Sequence, residues 1–163
     1  MCSSDLTVGA TTIWERWEAI KPDGSVSDGG IGGETEGTEP GMISFNHYAY
    51  GAVIDWVYRN VAGLTSLAPG YEQVSIAPRP TKSIEWAKAS IETGYGEYGI
   101  DWKLEGSKLH AKVTVPFGVQ AKLNLPVSQG STILVNGEAK LNGEVLGHGV
   151  FDIDVTHAHV VSK

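Results

Sequence analysis

A single cysteine, Cys2, stands in the 163 residues. A lone thiol excludes an internal disulfide and a thiolate metal cluster. Positive charge is also scarce. Twelve Lys and Arg face 19 Asp and Glu, which leaves a net charge of −7 and a pI near 5.1. A binder of phosphate backbones needs a basic face, so no nucleic-acid partner is expected. No apolar run approaches the roughly 20 residues that a bilayer span requires, so no membrane partner is expected either. No repeat of fixed period is present. No basic stretch followed by an apolar one opens the chain, and export is not legible from it.

What is there suffices for a buried core: 41% of the residues are apolar and 19% charged. The length fits one ordinary domain, or a small domain with a piece of another. The opening MCSSDL is polar and joins abruptly to the run that follows. One codon choice for Cys-Ser-Ser-Asp-Leu spells a widely used sequencing-adapter end, so residues 1–6 read as a non-native leader.

Two periods divide the rest. Over SFNHYAYGAVIDWVYRNVAG (44–63), the residues Phe45, Ala49, Ala52, Val53, Trp56, Val57 and Val61 recur at three- and four-residue steps. That stripe predicts a helix with its apolar face in a core, Trp56 included. Ser44 or Asn46 can cap its start, and Gly63 is placed to end it. From about Leu67 the period becomes two. LHAKVTV (109–115), AKLNLPV (121–127) and VFDIDVT (150–156) alternate apolar and polar residues, and Asn136-Gly137 is a hairpin-turn signal. These predict an antiparallel β-sandwich, with the boundary near 63–71 at the Pro69-Gly70 turn. Between the first residues and the helix, segment 21–43 holds seven glycines and reads as a long acidic loop.

The chemistry-bearing residues cluster early. In GATTIWERWEAI (9–20), Trp14 and Trp17 flank Glu15. A carboxylate between indoles suits a sugar-cleaving site, although a carboxylate in such a loop is more often simply solvated. The two indoles read more readily as core than as a sugar platform. His47 is as easily explained by helix capping. In the β-half, HAH (157–159) places two imidazoles on one face of a strand, but no carboxylate or cysteine stands at ligand spacing, and no metal or other cofactor is expected. Tyr95, Tyr98 and Trp102 are either strand core or a sugar-stacking surface.

Taken together, GATTIWERWE (9–18), SFNHYAYGAVIDWVYRNVAGL (44–64), PGY (69–71) and IAPRP (76–80) before a β-rich tail resemble the C-terminal part of bacterial α-L-rhamnosidases of glycoside hydrolase family 78. The resemblance implies a fold that is α+β by content: a terminal helical segment of an (α/α)6 barrel over 7–63, then an antiparallel β-sandwich over 64–163. It implies that Glu15 is the general base of an inverting hydrolysis of terminal α-L-rhamnosyl linkages. His47 would contact the sugar, and Trp14 and Trp17 would give apolar walls. The acid partner would lie upstream, so the chain is expected to be inactive alone. Its partners would be a rhamnosylated glycoside or polysaccharide and the missing N-terminal part of the same protein. Two alternatives stay open: a non-catalytic carbohydrate-binding or structural β-sandwich module, and a fragment of another (α/α)6 glycosidase.

Overall fold

In the computed structural model, residues 9–16, 19–27 and 43–161 are described. They fall into two compact units, Met1–Asp55 and Trp56–Lys163.

In the first unit, two stretches lie side by side and antiparallel. The His47 N–H donates to the Ile13 carbonyl (2.8 Å) and the Glu15 N–H to the Ser44 carbonyl (2.9 Å). The Thr12 hydroxyl donates to the Phe45 carbonyl. A small hairpin follows the first stretch, bridged Ile20 to Val26. Asp23 sits in its turn, accepting from the Ser25 hydroxyl (2.6 Å) and the Ser25 N–H (2.9 Å). Those two donors, the hydroxyl first, hold the exposed Asp23 carboxyl below the usual carboxylate range.

The helix α1 spans Tyr48–Val57 and begins later than the apolar stripe. Residues 44–47 are not free to coil, because their backbone groups are bonded to residues 12–15. The helix continues into a π-turn, Tyr58–Ala62, and stops at Gly63. Gly63 has φ +87°, and its N–H closes onto the Tyr58 carbonyl at 2.9 Å. A Cβ there would stand 2.2 Å from the Ala77 carbonyl carbon. Only glycine meets both demands, the left-handed backbone and the close approach. The core placement expected for the stripe does not hold: no α1 residue is buried, and Trp56 is 58% exposed.

Among its described residues, the second unit carries ten strands in two sheets. Four strands, β1 (Leu64–Ser66), β2 (Gln73–Ile76), β6 (Gln120–Leu123) and β9 (Val145–Leu146), make one sheet in the order β1-β2-β6-β9. The other holds β3 (Trp86–Thr93), β4 (Gly96–Glu105), β5 (Lys108–Val115), β7 (Ile133–Val135), β8 (Glu138–Lys140) and β10 (Gly149–Val155), in the order β3-β4-β5-β10-β7-β8. Alternation decides the faces: Leu109, Ala111, Val113 and Val115 of β5 are buried, while His110 and Lys112 are exposed. Asn136 (φ +50°) and Gly137 (φ +82°) form the two-residue turn between β7 and β8.

The strands pair antiparallel with one exception, β2 with β6, which run parallel from Gln73 opposite Gln120 to Ile76 opposite Leu123. Side-chain alternation has the same period in both ladder types, so strand direction was not readable from it. The two sheets share one core, to which Val74, Ile76 and Leu123 contribute from one side and Tyr98, Trp102 and Ile153 from the other. The Tyr98 hydroxyl donates across the core to the Ser75 carbonyl at 2.7 Å. Burial of Tyr98 and Trp102 settles the choice for those two aromatics in favour of core; Tyr95 remains exposed. The strand expected through HAH ends at Val155, and His157 lies in a turn with φ +49°. No helix among the described residues is long and apolar enough to cross a membrane.

Candidate functional site

Glu15 lies in the first of the two paired stretches and is half-buried. Its Oε2 accepts the Ser44 N–H at 2.8 Å, while its own N–H donates to the Ser44 carbonyl. The carboxylate is therefore gripped at one oxygen by a backbone dipole and at its own backbone by the same residue. A charge-assisted hydrogen bond of this kind fixes the orientation of the carboxylate.

His47 ends the second stretch and is also half-buried. Its carbonyl accepts the Tyr50 and Gly51 N–H groups (3.1 and 3.2 Å), which starts α1. Its ring lies over that of Tyr50, with centroids 4.3 Å apart and planes 31° apart. The His47 Nδ1 is buried with no hydrogen-bond partner among the described residues. An orphaned buried nitrogen calls for a polar partner such as a water or a hydroxyl. Trp14 is buried at 8% exposure and meets Phe45 edge-on, with centroids 5.1 Å apart and planes 84° apart. Trp17 lies outside the described residues.

Of the residues picked from sequence, Glu15, Trp14 and His47 thus sit on one hydrogen-bonded pair of stretches. In the sequence, Ser44 is a cap candidate and Phe45 a stripe member, and nothing there singles out Tyr50. Their links to Glu15, Trp14 and His47 span 29 residues or more in two of the three cases, and no local pattern encodes such pairings. Among the described residues, no group of three or more His, Cys, Asp or Glu is placed to hold a metal ion.

Two family models match this chain. Residues 4–61 match the bacterial α-L-rhamnosidase six-hairpin glycosidase domain, and residues 63–140 match the bacterial α-L-rhamnosidase C-terminal domain. The chain belongs to the bacterial α-L-rhamnosidase family. An α-L-rhamnosidase of Formosa agariphila is 36% identical over 142 residues, which is 86% of this chain and 14% of that protein. The structure of an α-L-rhamnosidase from Dictyoglumus thermophilum superimposes with a TM-score of 0.63 at 24% identity, covering 93% of this chain and 17% of that one. A Streptomyces avermitilis α-L-rhamnosidase, crystallised with L-rhamnose, gives a TM-score of 0.57 at 30% identity, covering 93% of this chain and 14% of that one. The chain therefore corresponds to a small C-terminal portion of these rhamnosidases, and Glu15, His47 and Trp14 all fall in the part matched by the glycosidase-domain model.

Proposed function

We propose that this chain is the C-terminal portion of an inverting α-L-rhamnosidase, and that it supplies the general base Glu15 and a closing β-domain to a catalytic barrel whose larger part lies upstream. In this division residues 7–63 end the barrel and 64–163 form the closing sandwich. The observation that carries the reading is the Glu15 carboxylate, half-buried and anchored at one oxygen by the Ser44 amide.

The chemistry follows from what inversion demands. Two carboxyl groups must stand roughly 6.5–9.5 Å apart to admit a water between one of them and the sugar. Glu15, ionised, takes a proton from that water as its oxygen bonds to the anomeric carbon. The glycosidic C–O bond breaks on the opposite face, and the departing oxygen takes a proton from an upstream carboxylic acid. Glu18 is too close in sequence to Glu15 to serve as that acid across a sugar ring. His47 offers an imidazole to a ring hydroxyl, and its orphaned Nδ1 supports a polar partner there. Trp14 would give apolar surface to a sugar whose C6 is a methyl group.

The exposed face of α1 supports the upstream partner. Val53, Ile54 and Trp56 lie open on a helix without a buried residue, and an apolar surface of that kind marks a protein interface. The substrate class is a terminal α-L-rhamnosyl group on a glycoside or polysaccharide. Two assays test the reading together. The 163-residue chain should leave an aryl α-L-rhamnoside unhydrolysed, while the full-length enzyme hydrolyses it. Turnover by the short chain above buffer, or none by the full-length enzyme, would refute it.

A further inference from the structure

We infer that the peptide N–H of Ser44 is the positioning group for the general base: it holds Glu15 Oε2 and thereby presents the other oxygen, Oε1, to the attacking water. The inference rests on the reading of Glu15 as that base.

Three observations carry it. The Ser44 N–H lies 2.8 Å from Glu15 Oε2, within the range of a charge-assisted bond. The Ser44 carbonyl accepts the Glu15 N–H at 2.9 Å, so donor and acceptor are tied at both ends and the carboxylate has little freedom to swing. The Ser44 hydroxyl is turned elsewhere, accepting the Asn46 N–H at 3.3 Å. The residue's contribution to the carboxylate therefore runs through its peptide group, and the side chain is dispensable for it. A base whose second oxygen is fixed by a preset dipole needs no reorganisation as the water loses its proton. Further ties from Thr12 to Phe45 and from His47 to Ile13 lock the register of the two stretches, so that the same pairing also places His47.

The test uses the full-length enzyme and separates the amide from the hydroxyl. Ser44→Ala keeps the N–H and serves as the reference for the ester form. On that background, replacing residue 44 by its α-hydroxy analogue turns the preceding peptide bond into an ester and puts an oxygen in place of the N–H. That change should lower kcat roughly tenfold to a hundredfold with KM nearly unchanged, the signature of an interaction that serves the transition state. An ester form with the same kcat as Ser44→Ala overturns the inference. Glu15→Gln run in parallel distinguishes the two levels: if it retains turnover, the base assignment itself has failed. A readout that does not need the ester is the Ser44 amide proton resonance. It should move upfield when Glu15→Gln removes the charged acceptor, and an unmoved resonance overturns the inference.

Discussion

Tyr98→Phe is the most informative perturbation of the β-domain, because it deletes one oxygen from a side chain with no exposed surface. That oxygen donates to the Ser75 carbonyl at 2.7 Å and ties β4 of one sheet to β2 of the other. A buried hydrogen bond contributes about 0.5–1.5 kcal/mol net, and a carbonyl left short of a partner adds to the loss. At pH 7 the variant should therefore be about 1–2 kcal/mol less stable in urea unfolding. Alkaline pH gives an independent check. Burial, reinforced by the negative charge that Tyr71 acquires on ionising, pushes the Tyr98 phenol well above its ordinary value of 10.0. The unfolded chain then loses this proton first as pH rises through 10. Above that pH the unfolded state binds fewer protons, so stability falls by up to about 1.4 kcal/mol per pH unit. Below pH 10 the contribution is fully present. Phe at this position has no proton to lose, so the two stability curves should approach one another near pH 11. A parent curve no steeper than the variant's above pH 10, or a variant as stable as the parent at pH 7, would refute the reasoning.

Gly63→Ala must place a Cβ 2.2 Å from the Ala77 carbonyl carbon at φ +87°. The left-handed backbone alone costs about 1–2 kcal/mol and the clash adds more, so the variant should unfold at markedly lower urea or not accumulate in soluble form. Asn136→Ala removes the carbonyl oxygen that accepts the Asp152 N–H at 2.8 Å and a residue suited to φ +50°. It should cost about 1–2 kcal/mol in the same assay. Trp56→Gln changes a side chain that is mostly exposed. Its stability should stay within about 0.5 kcal/mol of the parent chain, while light scattering at equal concentration should show less self-association.

How much of this was legible in the sequence depended on how local the cause was. The Asn136-Gly137 turn, the end of the helix at Gly63 and the inward residues of β5 follow from short patterns, and the structure has them. The start of α1 did not follow, because Ser44, Phe45 and His47 are hydrogen-bonded to residues 12–15. The parallel β2–β6 ladder did not follow either, since alternation carries no direction. The apolar stripe of α1 follows from its three- and four-residue steps, but its expected burial does not hold at Trp56, which is 58% exposed. In the site, Glu15 and His47 were picked out by a family resemblance, whereas the Ser44 grip on Glu15 joins residues 29 apart and appears only in three dimensions.

The most direct measurement of the central claim is turnover of an aryl α-L-rhamnoside by the full-length enzyme carrying Glu15→Ala, with and without sodium azide. Azide needs no base, so it should enter where water no longer reacts. The account predicts turnover reduced by orders of magnitude without azide, and recovery with it as the β-L-rhamnosyl azide forms. Turnover close to that of the parent enzyme in the absence of azide would contradict it.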